Sequence, residues 1–326
     1  MGREERVKII REISRRRASG VICYLTGDRE NVNTRIAPDV TPVLHRHLEL
    51  LGPQPRIDLF LYTRGGDVLT PVRLVHLIRE YAEHFAVLVP YRAYSAGTLL
   101  CLGADEVVMG KMGELGPIDP SVVNAFNPQD PVNACARVPV NVEDVYSYLA
   151  LAREKAGVSE TLLPGIFNQL GERIHPLALG NVHRNYLLIR SLAHKLLQLR
   201  RQPPEPDAAQ DIVDCLTEKF YAHNYMITRS EAAGEIGLPV TAPERQLETM
   251  LWRLYRDYAD ELALDEPFDP EEYVHGQRSS FKVAAGLVES VQGRDCFVFS
   301  GIIDAPEYPH HGQINVNIQQ QRWHRE

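Results

Sequence analysis

The chain has 326 residues, of which 44% are hydrophobic, and it carries a formal net charge of −8 with a pI near 5.9. This length suggests two domains, or one core with large additions, and the acidic balance argues against a nucleic-acid-binding protein, which usually has a basic excess. No apolar run approaches the roughly 20 residues that cross a bilayer, and the charged N-terminus lacks the apolar segment of a secretory signal.

The five cysteines are scattered along the chain and form no Cys-x-x-Cys pair. This pattern is typical of a reduced cytoplasmic protein and does not favour a zinc site. His310, His311 and His324 lie in a polar tail without other ligands at metal spacing. We therefore expect a cytoplasmic protein that needs neither a metal nor another cofactor.

Hydrophobic periodicity predicts an α/β arrangement in the first 110 residues. Residues 4–17 are predicted as a helix whose apolar side packs on the body of the protein; contact with a membrane surface is the alternative. Strands and helices then alternate with short joints, which is the βαβ pattern of a parallel sheet. The predicted strands are 20–27, 57–62, 85–90 and 106–109, and the predicted helices are 41–51, 70–84 and 95–103.

The sequence changes character after residue 119. Helical spacing dominates up to residue 264, and from residue 279 an alternating pattern predicts three antiparallel strands. We therefore expect a core with helical additions over residues 18–265 and a small C-terminal β element over residues 266–326. The predicted helices of this part are 143–156, 159–170, 177–201, 211–221, 229–236 and 243–264.

Three motifs within residues 59–120 suggest a hydrolase. The run LFLYTRGGD ends on Gly65-Gly66, the segment YRAYSAGT places Ser95 between a strand and a helix, and the loop GELGPIDP carries Asp119. A flexible loop with backbone donors, a presented hydroxyl and a carboxylate are the parts that a serine hydrolase combines. For Ser95 alone, capping the following helix is the simpler interpretation.

The order of these motifs resembles that of the Clp-fold serine proteases, and most closely the serine dehydrogenase proteinase (SDH) family of the ClpP/crotonase-like superfamily. The segments IHPLALG (174–180) and HNYMITRSEA (223–232) agree with it, and the likeness covers roughly residues 18–265. The resemblance implies a spiral of βαβ units and a self-associating assembly. No Gly-x-Gly-x-x-Gly fingerprint supports a dehydrogenase.

The resemblance also implies roles for individual residues. Ser95 is the expected nucleophile, and the N–H groups of Gly66 and Ala96 are the expected donors to the oxyanion. The histidine of the ClpP pattern is absent, because that region reads Pro117-Ile118-Asp119-Pro120.

The general base is therefore open. His223 falls beside the position of the ClpP aspartate, so a swapped arrangement with His223 as base and Asp119 as its orienting partner is one expectation. A neutral imidazole suits the base role near pH 7. Lys155 and Lys111 are alternative bases, although neither matches the lysine position of the signal-peptide-peptidase pattern.

The expected function is hydrolysis of peptide bonds through an acyl-enzyme on Ser95, with a peptide or protein as substrate and no nucleic-acid partner. A crotonase-type acyl-CoA enzyme is one alternative, because it also uses paired backbone donors but needs no serine at the turn. A non-catalytic scaffold with the same fold is the other, and the absent histidine is its main support.

Overall fold

The structure is a computed structural model that describes residues 2–118, 121–122, 124–130, 132–133, 135–220, 222, 224–275, 277–304 and 314–326. In chain order its α-helices are α1 (Arg3–Arg17), α2 (Val40–Leu51), α3 (Thr70–Arg79), α4 (Ala96–Leu102), α5 (Val142–Ala150), α6 (Leu163–Arg173), α7 (Pro176–Gln198), α8 (Pro206–Glu218), α9 (Arg229–Gly234) and α10 (Arg245–Glu261). A π-helical turn at Leu151–Lys155 follows α5, and a 3₁₀ turn covers Pro270–Tyr273.

The described strands include long ones near both ends of the sequence and short ones between them. They are β1 (Gly20–Thr26), β2 (Asp28–Arg29), β3 (Val32–Asn33), β4 (Gln54–Tyr62), β5 (Ala82–Val89), β6 (Arg92–Ala93), β7 (Glu106–Met109), β8 (Glu114–Leu115), β9 (Ser121–Val122), β10 (Val140–Asn141), β11 (Ile227–Thr228), β12 (Val240–Thr241), β13 (Arg278–Ser290), β14 (Arg294–Asp304) and β15 (Asn315–Arg325).

The chain forms two compact units. The first consists of residues 1–116, 196–204 and 226–326, and the second of residues 117–195 and 205–225. These two units do not correspond to the predicted core (residues 18–265) and C-terminal β element (residues 266–326). That domain boundary stays a prediction.

The described strands of the first unit build a mixed eight-stranded sheet in the order β12-β7-β5-β4-β1-β13-β14-β15. The first five strands run parallel, as the βαβ pattern predicted. The last three are antiparallel, and β13 pairs with β1 through Ile22 opposite Ser290. The C-terminal strands therefore extend the main sheet, because β13 continues it at the β1 edge.

Both faces of the central parallel strands of this sheet are buried, as a parallel sheet requires. Helices α1 and α10 cover one face, where Ile10 and Ile13 of α1 pack with Phe60 of β4 and Leu254 of α10. The alternate residues of β1, β4 and β5 are equally buried, and α2, α3 and α4 contact one another and the strands β13 and β5. The N-terminal helix thus packs on the protein body.

One helix is shorter than predicted. The periodic pattern predicts a helix to residue 84, but α3 ends at Arg79 and β5 already begins at Ala82, opposite Gln54 of β4. Pairing with β4 is a long-range interaction that local spacing does not contain, and it overrides the helical pattern of these residues.

A buried histidine joins α2 to the C-terminal strands. His47 is fully buried, its Nδ1 lies 2.8 Å from Ser290 Oγ, and its Nε2 lies 3.0 Å from an oxygen of Asp295. Ser290 Oγ also accepts the N–H of Gln292 at 3.3 Å. A neutral ring satisfies this chain, because Nδ1 accepts the Ser290 hydroxyl proton and Nε2 donates to Asp295.

We expect the free energy of unfolding to decrease in mild acid because of His47. Burial lowers the pKa of His47 below 6.5, an effect that Asp295 opposes and that Arg46 and Arg325 reinforce. Below pH 6.5 the unfolded chain therefore binds a proton that the folded chain does not, and stability falls by at most about 1.4 kcal/mol per pH unit.

The measurement is the urea midpoint between pH 7.5 and pH 5. His47→Gln should flatten the profile, whereas His45→Gln, at a half-exposed position of the same helix, should leave it unchanged. An unchanged slope in His47→Gln would contradict the prediction.

Candidate active site

Ser95 lies at the tight turn between β6 and α4. It occupies the N-cap position of α4, but its side chain makes no capping hydrogen bond. Its backbone has φ 52° and ψ −109°, a conformation that residues with a Cβ rarely adopt. The half-buried hydroxyl makes no hydrogen bond to another described residue. The turn therefore presents Ser95 Oγ without using it for capping.

The Gly65-Gly66 loop follows β4 and touches this turn. A Cβ on Gly65, which has φ 108°, would lie 2.8 Å from Ser95 Cβ and 3.3 Å from Ala96 N. A side chain at this position would push the serine turn away. The loop and the N-terminus of α4 can approach each other only because residue 65 is glycine.

Gly66 is held from the opposite side by Ile36. Gly65 O accepts the Ile36 N–H at 2.8 Å, and Ile36 O accepts the Asp67 N–H at 2.8 Å. A Cβ on Gly66, which has φ 150°, would lie 2.1 Å from Ile36 O. The bridge to Ile36 uses the groups on either side of Gly66, so it leaves the Gly66 N–H unoccupied.

Backbone pairing places the loop and the serine turn side by side. Thr63 N–H donates to Arg92 O at 2.9 Å, and Tyr94 N–H donates to Thr63 O at 3.1 Å. These two bonds flank Ala93 and end one residue before Ser95. The relative position of the first two motifs is thus set by main-chain hydrogen bonds.

The third motif is tied to the same turn through Thr98 of α4. Thr98 Oγ1 is fully buried, accepts the Gly116 N–H at 3.1 Å, and lies within 2.9 Å of the carbonyl oxygens of Ala93 and Gly116. The Tyr94 hydroxyl donates to Glu114. Burial and this carboxylate raise the pKa of Tyr94, so the phenol stays neutral and keeps its bond.

The predicted base and its partner are not part of this description. Asp119 and His223 both lie outside the described residues, and their roles stay predictions. Lys155 closes the π-helical turn of the second unit with an exposed side chain. Lys111 has a side chain that is 78% exposed and lies 3.4 Å from Glu248; no described contact joins it to Ser95.

Three charged residues, Asp28, Arg64 and Arg92, lie beside the loop. Arg64, which precedes the two glycines, pairs with Asp28, and Asp28 also accepts the Tyr62 hydroxyl at 2.7 Å. Arg92 lies 3.7 Å from the same carboxylate. Asp28 comes from a distant segment, so only the tertiary structure identifies it as a partner of the loop.

In the described part of the chain, no three His, Cys, Asp or Glu side chains are placed to hold a metal ion. No described helix combines the length and apolar character needed to cross a membrane.

Comparison with protein families identifies the N-terminal part of the chain. Residues 2–156, just under half of the sequence, match the family described as ClpP-like SDH-type serine proteinase. The match is to the class of ClpP-like serine proteinases, and the mixed α/β first unit is consistent with it. Within that class the matching family is the SDH type, which confirms the resemblance drawn from the motifs.

Two proteins of Methanocaldococcus jannaschii are similar to this chain. The uncharacterized protein MJ0137 is 24% identical over 257 residues, which cover 77% of this chain and 78% of its own length. The uncharacterized protein MJ1495 is 29% identical over 126 residues, which cover 36% of this chain and 42% of its own length. Neither name assigns an activity, so the proteinase assignment comes from the family match.

Proposed function

We propose that this chain is a serine peptidase that hydrolyses peptide bonds through an acyl-enzyme on Ser95. The observation that supports this most strongly is the conformation of Ser95 against Gly65, within residues that match a serine proteinase family. A strained serine whose hydroxyl does not cap its own helix has no evident structural purpose.

In the proposed reaction, Ser95 Oγ attacks the carbonyl carbon of the substrate while its proton passes to the base. The oxyanion that forms accepts hydrogen bonds from the N–H groups of Gly66 and Ala96. The base then protonates the departing amine, and a water molecule hydrolyses the ester on Ser95 to release the acid. We assign the base to His223, oriented by Asp119.

We also propose that the enzyme acts in the cytoplasm as a homo-oligomer. The family resemblance supports the assembly, and the five scattered cysteines, which suit a reducing compartment, support the cytoplasm.

The test is labelling of the purified full chain with a fluorophosphonate probe, which reacts only with an activated serine. We expect one label per chain, lost in Ser95→Ala. Ser290→Ala is the matched control, because Ser290 bonds a histidine, as we propose for Ser95, but is completely buried; it should label like the wild type. No label on folded wild-type protein would overturn the proposal and favour a scaffold.

A further inference from the structure

A buried threonine lies between the two halves of the candidate active site. Thr63 directly follows β4, precedes the glycine loop and is fully buried. Its Oγ1 accepts the Gly65 N–H at 2.9 Å and the Thr26 hydroxyl proton at 2.7 Å. Both lone pairs of the hydroxyl are therefore used.

The Thr63 hydroxyl binds the Gly65 amide of the loop and leaves the Gly66 amide unbound. Gly65 N–H is taken by Thr63 Oγ1, and no bond of the Ile36 bridge uses Gly66 N–H. Within the described residues Gly66 N–H has no acceptor. Gly66 is half-buried, so its free N–H is open to a ligand, and an amide left in this state beside the nucleophile is suited to a substrate oxygen.

Thr63 also contacts the helix that supplies the other donor. A Cβ on Gly97 would lie 2.5 Å from Thr63 Cγ2, so the threonine methyl packs directly on the first turn of α4. The Thr63 backbone meanwhile bonds Arg92 and Tyr94 on the strand before Ser95. One side chain thus touches the loop on one side and the helix on the other.

We propose that Thr63 is a positioning residue that fixes the oxyanion donors of the active site. By holding Gly65 N–H it leaves Gly66 as the donor of the loop, while its methyl group packs on α4. Thr63 touches no reacting atom. The inference rests on the proposed peptidase function, and it can be tested separately.

The experiment compares Thr63→Val, which keeps the shape and removes the hydroxyl, with Thr63→Ser, which keeps the hydroxyl. Losing one oxyanion donor costs about 10²–10³ in rate. We expect a misplaced donor in Thr63→Val to lower kcat and the fluorophosphonate labelling rate by about 10- to 100-fold with KM nearly unchanged, since the oxyanion exists only in the transition state. Thr63→Ser should retain most of kcat.

A matched control separates this effect from loss of stability. Ser279 is buried, and its hydroxyl accepts a backbone N–H, that of His275, at 2.7 Å. Ser279→Ala removes the same kind of bond at the start of β13 and should leave kcat unchanged. A kcat loss in Ser279→Ala equal to that in Thr63→Val would overturn the positioning role.

Amide hydrogen exchange provides a readout that does not need activity. In protein labelled with ¹⁵N-glycine, the Gly65 amide should exchange slowly in the wild type and in Thr63→Ser, and faster in Thr63→Val. Labelling of Thr63→Val at the wild-type rate, or fast Gly65 exchange in the wild type or in Thr63→Ser, would refute the inference. An unlabelled wild type with slow Gly65 exchange would instead refute the peptidase function.

Discussion

Ser95→Gly and Ser95→Ala are both expected to abolish peptide hydrolysis, and the glycine variant is expected to be the more stable of the two. Removing the nucleophile of a serine protease lowers kcat on the order of 10⁶-fold, and neither residue supplies a substitute. Loss of activity alone therefore does not distinguish the two variants. Their stabilities do, because only glycine adopts the backbone conformation of residue 95 without strain.

The stability difference follows from φ 52° and ψ −109° at this position. Conformations of this kind cost about 1–3 kcal/mol for a residue with a Cβ, and alanine keeps that cost. Glycine removes it but adds about 0.5–1 kcal/mol of backbone entropy to the unfolded chain. We expect Ser95→Gly to exceed Ser95→Ala by about 1 kcal/mol in free energy of unfolding.

Urea unfolding followed by tryptophan fluorescence measures this difference. Both tryptophans, Trp252 and Trp323, belong to the first unit, as Ser95 does. Ala18→Gly, at an exposed position with φ 48° and ψ 49°, is the comparison for a positive φ away from the site and should also stabilise. Equal midpoints for the two Ser95 variants would mean that the turn stores no strain.

The strain at Ser95 is sustained by the packing that follows it. Every residue of α4, from Ala96 to Leu102, is buried, and Thr98 ties the helix to the loop at Gly116. The serine cannot relax without displacing this helix from the core. Stability of the core is therefore what holds the hydroxyl in place.

Local patterns were sufficient for most of the parallel half of the sheet. Strands β1, β4, β5 and β7 and the helices between them could be predicted because each is a short apolar run or a helix with one buried face. The predicted end of α3 was wrong because it is decided by the pairing of β5 with β4. The pairing of β13 with β1 joins residues at least 260 positions apart, and periodicity carries no information about such partners.

The candidate site divides in the same way. Gly65, Gly66 and Ser95 could be found in the sequence because glycine pairs and a serine at a strand–helix turn are recognisable local features. Thr63 could not, since its importance depends on contacts with Gly65 and Gly97 that only the folded chain makes. The base remains a prediction from resemblance.

Among the variants described, Arg6→Met is expected to cause the largest decrease in the free energy of unfolding. Arg6 is 2% exposed on α1, and its guanidinium binds Glu289 at 3.0 Å, Asp257 at 2.7 Å and Glu261 at 2.6 Å. It also lies over the ring of Tyr258, 5.1 Å from the centroid. This one side chain joins α1 to α10 and β13.

Removing the Arg6 guanidinium leaves the buried Glu289 carboxylate without its main counter-charge. Glu289 is completely buried, and burial raises its pKa while Arg6 acts in the opposite direction. Without Arg6 this carboxylate keeps the Tyr258 hydroxyl at 2.8 Å and the more distant Arg3. Breaking a buried ion pair in this way typically costs about 3–5 kcal/mol.

The control lies on the same helix. The Arg16 side chain is 29% exposed and pairs with Glu12 and Glu244 at the surface, so Arg16→Met should change the free energy of unfolding little. Adding Glu289→Gln to Arg6→Met should recover part of the lost free energy of unfolding, because the glutamine amide leaves no unpaired charge in the buried site. If Arg6→Met unfolded at the same urea concentration as Arg16→Met, the buried network would contribute no more than a surface pair, and α1 would be held by its apolar residues alone.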